Sequence, residues 1–330
     1  MAASPLHDGQ CRPVPTGRFA PSPTGPLHVG NLRTAVLAWL FARSSGSRFV
    51  VRVEDLDRVA SRPAIVRSQL DDLRALGIDW DGEVVRQSDR FALYADALAQ
   101  LGRAGDLYEC YCTRREREMA AAASAPHGPL PEGAYPGTCR SLSPSSSPLS
   151  PARRSALAAQ GRRPALRVRA SGSVVSLVDR LHGRRTAAVD DFVVRRNDGV
   201  AAYQLAVVVD DADQGIAEVV RGDDLLDTTP RQVWLARRLE LPVPTYAHVP
   251  LVVGSDGRRL AKRHGAVTLG DLTAAGVPVP AVLGAMASSL GLADPGEPVA
   301  SARSLLARFD PDALPVQPWV FDPQSLFAMR

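Results

Sequence analysis

The chain has 330 residues, with 39 lysines and arginines against 35 aspartates and glutamates, a formal charge of +4 and 45% hydrophobic residues. That is enough apolar material to fill a core, which excludes disorder as the overall state, and the small charge excess permits a polyanionic partner without demanding one. At about 100–200 residues per domain the length suggests two or three domains. Apolar stretches such as Tyr203 to Val209 fall far short of the ~20 residues of a membrane span, and the opening MAASPLHDGQCRPVP has neither an apolar nor a basic targeting region. A cytoplasmic protein with no membrane partner is expected.

After the Pro-rich leader 1–15, Thr16 to Ala20 is a strand candidate. It runs through the turn-rich PSPTGP into a helix over Asn31 to Arg43, where Leu32, Ala35, Val36, Trp39 and Leu40 recur at helical spacing. Phe49 to Val53 is an apolar strand broken only by Arg52, followed by the acidic turn from Glu54 to Asp57 and a helix over Ile65 to Leu76 that ends at Gly77. Alternating strands and helices predict a parallel sheet and an α/β fold. A further helix over Phe91 to Leu101 leads to Cys110, Cys112 and Cys139, too few thiols for a disulfide framework; Cys11 stands alone. Ser141 to Pro151 reads as an exposed low-complexity loop. ALRVRA, VVSLVD, DFVVRRNDG and YQLAVVVDD then read as strands, with Asn197-Asp198-Gly199 as a hairpin signal between the last two. A helix over Thr229 to Leu239, a strand over His248 to Val253 and a helix over Ala281 to Leu290 complete the pattern.

The stretch from Arg18 to Asn31, RFAPSPTGPLHVGN, takes a strand through a tight loop to the start of a helix. Unpaired backbone N–H groups and the positive end of the helix dipole make such a start a phosphate seat, and Gly30 permits close approach. The residues resemble the HIGH signature of class I aminoacyl-tRNA synthetases, in the form used by the glutamyl/glutaminyl branch, with His28-Val29-Gly30-Asn31 in the HIGH position. Arg52 to Asp57 is similar to that branch's R-x-E-D-T-D segment, with Leu56 replacing the threonine. Asp190 to Thr228 matches a third segment, and Arg259-Leu260-Ala261-Lys262-Arg263 occupies the place of the KMSKS loop, with both serines replaced.

The resemblance implies a Rossmann-type parallel sheet built from 16–107 and 197–270, an inserted zinc-bearing α+β acceptor-binding domain over 108–196, and a short helical tail over 271–330. ATP, with Mg²⁺, would meet His28, Gly30, Asn31 and Lys262, of which His28, Gly30 and Lys262 take the catalytic role; the chemistry needs cations where charge develops on the reacting phosphate. L-Glutamate would be held by Arg18, Phe19, Ala20, Pro21, Ser22, Glu54, Tyr203 and Arg221, with the two arginines on its carboxylate and Glu54 on its ammonium group. Surface ion pairs would explain the same charged residues outside this motif context.

Cys110, Cys112, Tyr135 and Cys139 offer three thiolates and a phenol, a donor set for a structural Zn²⁺, although three thiols also occur as a buried apolar cluster. The spacing is similar to the zinc module of glutamyl-queuosine tRNA(Asp) synthetases, whereas His127 lies off the pattern. The 66 residues from Gly265 to Arg330 leave no room for an anticodon-binding domain. The resemblance therefore implies tRNA-independent activation of glutamate and its transfer to queuosine in the anticodon loop of tRNA(Asp), by a monomer. Arg114, Arg115, Arg117, Arg153 and Arg154 are candidate phosphate contacts. A truncated glutamyl-tRNA synthetase and a non-catalytic tRNA-binding module are the alternatives.

Overall fold

A computed structural model describes residues 14–57, 59, 61–113, 115–116, 134–135, 137–140, 151–170, 172–258, 260 and 267–327. In chain order the elements are β1 (Thr16–Phe19), α1 (Val29–Ser44), β2 (Arg48–Val53), α2 (Pro63–Ala75), β3 (Val85–Arg86), α3 (Phe91–Arg103) and β4 (Leu107–Cys110). Then come α4 (Pro151–Ala159), β5 (Ala165–Val168), β6 (Ser173–Asp179), β7 (Gly183–Val189), β8 (Val193–Arg195), α5 (Tyr203–Asp213), β9 (Ile216–Gly222) and α6 (Thr229–Arg238). Last are β10 (Thr245–Val249), β11 (Val252–Val253), α7 (Leu269–Ala274), α8 (Val279–Ser288), β12 (Trp319–Val320) and α9 (Pro323–Phe327).

The main sheet has the order β3-β2-β1-β9-β10-β6-β7. Every neighbouring pair is parallel except β6 and β7, so the expected parallel sheet is in fact mixed, with an antiparallel edge strand. The chain moves outward from β1 to β2 and β3 on one side and returns to β9 and β10 on the other. The switch point therefore lies between β1 and β9, where ligands of open α/β sheets bind beyond the carboxyl ends of the strands. The hairpin β6–β7 comes from the stretch 108–196 yet hydrogen-bonds to β10, with Asp179 opposite Tyr246.

YQLAVVVDD, read as a strand, is the helix α5. A short continuous apolar run has no period that separates a buried strand from a buried helix. Here Leu205 to Asp211 are all buried, so every face of the helix meets protein. Asn197-Asp198-Gly199 does form a turn, with Gly199 at φ +91° and Arg195 bridged to Ala201, but it leads into α5 and not into a second strand. The strands β4, β7 and β9 were not anticipated. Of these β9 matters most, because IAEVVRG lies beside β1 at the centre of the sheet and carries Arg221.

β4, β5 and β8 form a separate three-stranded antiparallel sheet that ends at Cys110. The stretch 271–327 packs onto α1. Leu283, Met286, Leu290, Ala302, Leu305 and Phe321 share one apolar core with Leu32, Val36 and Trp39 of α1. Arg33, buried in α1, donates to Ser289 Oγ at 2.9 Å and to the Pro250 carbonyl at 2.9 Å, so a hydrogen bond as well as burial ties the tail to α1. Among the described residues no helix is long and apolar enough to cross a membrane.

Candidate active site

A cleft of about 500 Å³ opens at the switch point. Of the residues expected around amino acid and nucleotide, Phe19, Ala20, Pro21, Ser22, His28, Asn31, Glu54 and Tyr203 all line it, together with Leu260. The strand β1 delivers the loop from Ala20 to Leu27, and α2 holds that loop in shape: Gln69 Nε2 donates to the carbonyls of Ser22 at 3.1 Å and Gly25 at 2.7 Å. The Glu54 N–H donates to the Pro21 carbonyl at 3.0 Å, which fixes the end of β2 against the same loop.

His28 caps α1. Its Nδ1 accepts from the Asn31 N–H at 3.2 Å, while the Asn31 side chain accepts from the His28 N–H at 3.3 Å. This reciprocal cap places the proton of a neutral imidazole on Nε2 and sets the ring at the positive end of the helix. Gly30 has a second reason to be glycine, because a Cβ there would come within 3.0 Å of His28 Cε1 and Nδ1. Lys262 and its neighbours Arg259, Ala261 and Arg263 lie outside the described residues. Their flanks reach the cleft: Leu260 lines it, Val29 donates to the Val267 carbonyl at 3.0 Å, and Thr268 bridges His28.

Beneath the cleft lies a buried charge network that the sequence did not reveal. Arg52 is fully buried and donates to Asp211 at 2.8 Å and Gln214 at 2.7 Å, with Glu54 at 3.4 Å. Burial alone would favour its neutral form, but Asp211, Glu54 and Asp210 hold it charged. Burial raises the Glu54 carboxyl above its usual range, against the pull of Arg52 and Arg18. Arg18 is committed to Asp211 at 3.4 Å and to the Val220 carbonyl at 3.3 Å. Arg221 donates through Nε to His248 at 3.1 Å and through Nη2 to Thr229 at 2.9 Å, while its buried Nη1 has no hydrogen-bond partner among the described residues. Tyr203 lies within the influence of Glu54, Arg221 and Arg18, and burial raises its phenol pKa. Arg52 was visible as the single charge in an apolar strand; its partners on α5 were not.

The sulfurs of Cys110, Cys112 and Cys139 lie within 4.8 Å of one another. The Tyr135 hydroxyl sits 3.5 Å from the Cys110 sulfur and 3.6 Å from that of Cys112, so all four expected donors converge. Hydrogen bonds from Cys112 and Cys139 pull the Cys110 thiol far below its usual range, toward the thiolate that binds metal. Asp190 anchors the group by accepting from the Tyr135 N–H at 3.0 Å and from Arg231 at 2.6 Å. Of the candidate phosphate contacts Arg115 is exposed; Arg114 and Arg117, the side chains of Arg153 and Arg154, and His127 lie outside the described residues, as do Cys11 and most of the Ser/Pro loop.

Residues 14–327 match the family model of class I tRNA synthetases (E and Q), catalytic domain. Among curated proteins, the glutamyl-Q tRNA(Asp) synthetase of Nocardia farcinica is 58% identical over 94% of this chain and 94% of its own length. That of Symbiobacterium thermophilum is 48% identical over 95% of this chain and 98% of its own. A solved glutamate tRNA ligase from Elizabethkingia meningosepticum, in complex with its amino acid, superposes with a TM-score of 0.75. At 24% identity, over 96% of this chain and 68% of the ligase, it supports the fold alone. The motif order, the mixed α/β sheet and the match over nearly the whole chain establish that it belongs to the class I tRNA synthetase family of the glutamate and glutamine branch.

Proposed function

We propose that this chain is a ligase that activates L-glutamate with ATP, without tRNA, and transfers the glutamyl group to queuosine in the anticodon loop of tRNA(Asp). The observation that carries this reading is the charge set at the cleft: Glu54 and Tyr203 line it, buried Arg18 and Arg221 lie close enough to act on Tyr203, and Arg221 Nη1 has no hydrogen-bond partner among the described residues. A ligand with one ammonium group and a side-chain carboxylate answers that pattern. Its ammonium pairs with Glu54 and its side-chain carboxylate takes the idle donor of Arg221, which otherwise leaves a buried polar group unsatisfied.

In the first step an oxygen of the substrate's α-carboxylate attacks the α-phosphorus of ATP, the bond to the β-phosphate oxygen breaks, and pyrophosphate leaves; Mg²⁺ bound to ATP would offset charge on the phosphates. His28 Nε2–H and the N-terminus of α1, with Gly30 and Asn31, receive the phosphates, and Lys262 adds a cation as charge develops. In the second step a nucleophilic group of queuosine attacks the adenylate's carbonyl carbon and AMP departs. Cys110, Cys112, Tyr135 and Cys139 would hold Zn²⁺, which would supply structural support at the end of β4. The stretch 108–196 is the acceptor-binding region, and Arg114, Arg115, Arg117, Arg153 and Arg154 contact RNA phosphates. The chain acts as a monomer in the cytoplasm.

Glutamate-dependent ATP–pyrophosphate exchange without tRNA, followed by transfer of labelled glutamate to queuosine-containing and queuosine-lacking tRNA(Asp) and to tRNA(Glu), tests this. Exchange with transfer only to queuosine-containing tRNA(Asp) is expected. Charging of tRNA(Glu) would overturn the acceptor, and absence of exchange in folded protein would overturn the activity.

A further inference from the structure

Three adjacent strands of the main sheet place a carboxylate, an imidazole and a guanidinium in a buried line. Asp179 ends β6, His248 lies on β10 and Arg221 on β9, with His248 directly opposite Arg221 in the strand register. Asp179 Oδ2 is 2.6 Å from His248 Nδ1, and His248 Nε2 is 3.1 Å from Arg221 Nε. The histidine is fully buried, and Arg221 is 5% exposed.

The hydrogen-bond roles in this line are forced. Arg221 Nε can only donate, so His248 Nε2 must accept, and a neutral imidazole that accepts at Nε2 carries its proton on Nδ1. That proton needs an acceptor, which Asp179 supplies. The aspartate is itself held by the N–H groups of Leu181 and His182, each at 3.0 Å, so it cannot turn away. Burial opposes its charge, but the bonds from His248 and these N–H groups keep its carboxyl below the usual range. Burial likewise lowers the pKa of His248, against the pull of Asp179, and so favours the neutral ring.

Thr229 Oγ1 accepts from Arg221 Nη2 at 2.9 Å and completes the clamp. Nε and Nη2 are then both fixed, and Nη1 is the one guanidinium nitrogen without a partner among the described residues. An arginine held in this way offers its remaining edge without a further loss of side-chain freedom on binding.

We propose that Asp179 and His248 are positioning residues for amino-acid recognition, fixing the Arg221 guanidinium so that Nη1 stays available for the side-chain carboxylate of the substrate. This rests on the reading of the cleft as a glutamate site. It also gives the hairpin β6–β7 a task, since its first strand supplies the carboxylate that orients the amino-acid site.

The test compares His248→Leu, His248→Gln and Asp179→Asn in the full-length protein, using glutamate KM and kcat in pyrophosphate exchange and direct calorimetric titration with glutamate. Gln can accept from Arg221 and donate to Asp179, whereas Leu can do neither. Asn at 179 can donate to Nδ1, which would turn an N–H of the ring against Arg221. His248→Leu is expected to raise glutamate KM and Kd about 10–100-fold, the scale of misplacing a positioned group, with ATP KM within about twofold. His248→Gln should recover to within about fivefold of the parent, and Asp179→Asn should weaken glutamate about tenfold. If His248→Leu does not fold, Asp179→Asn, which keeps size and shape, decides alone. Unchanged glutamate affinity in folded variants, or equal losses in Leu and Gln, would overturn the positioning role while leaving the glutamate reading intact. A parent protein that neither binds glutamate nor exchanges with it would overturn both.

Discussion

The floor of the cleft and the cysteine cluster are ordered by opposite means. Under the cleft, β1, β2, β9 and α5 bring Arg18, Arg52, Glu54, Asp210 and Asp211 together among large apolar clusters, and each charge finds its counter-charge within the fold. Among the described residues the cysteine cluster has a core of Tyr108, Cys110 and Tyr135, with Cys112 and Cys139 packed at its edge. Its anchors are polar: the Tyr108 hydroxyl donates to Asp191 at 2.8 Å, and Asp190 accepts from the Tyr135 N–H. A preorganised electrostatic floor needs no ligand to exist, whereas a small thiol-rich module of the proposed kind would gain order from a bound metal.

Removing Arg52 should break the first region most severely. Arg52→Met leaves Glu54, Asp210 and Asp211 without their shared cation, and breaking a buried pair in this way costs about 3–5 kcal/mol, readable as a shift in the urea unfolding midpoint. Arg221→Leu leaves the floor folded but removes the idle donor, and glutamate KM in pyrophosphate exchange should rise about 100-fold with little change for ATP. Stripping metal with a chelator separates the two regions. Transfer to tRNA should fall about tenfold or more, while tRNA-independent exchange changes by about twofold or less.

The pH response reports on Glu54. Its carboxyl sits above the ordinary value of 4.5 because it is buried, and the ionised form is the one that pairs with an ammonium group. Glutamate KM should therefore rise as pH falls through that raised value, and Glu54→Gln should weaken binding at every pH. The stability term has the opposite sign. A carboxyl whose pKa rises on folding contributes most at low pH and loses that contribution as pH rises through its folded value. Smallest of all, Gln69→Ala removes two hydrogen bonds to the cleft loop and should cost about 1–2 kcal/mol, measured by thermal unfolding, with a several-fold rise in KM for both substrates.

What was legible in the sequence was local. β1, α1 and β2 could be read because each carries its own local pattern, the strand and loop of RFAPSPTGPLHVGN, the helical spacing from Leu32 to Leu40 and the apolar run Phe49 to Val53, and the four donors of the cysteine cluster declared themselves by residue type. Long-range pairing left no such mark. Asp211 meets Arg52 across 159 positions of sequence, and Asp179 meets His248 across 69, contacts made only by the strand order. The apolar run before Asp210 concealed a helix because full burial removes the period that identifies one, and in β9 the charges of Glu218 and Arg221 interrupt the apolar pattern that marks a buried strand.

Pyrophosphate exchange with glutamate, glutamine and aspartate side by side, without tRNA, tests whether the buried guanidinium groups select an amino acid with a carboxylate side chain. A site built to pair a buried donor with a carboxylate rejects the amide by orders of magnitude, so exchange should follow glutamate alone. Equal exchange with glutamine would contradict it.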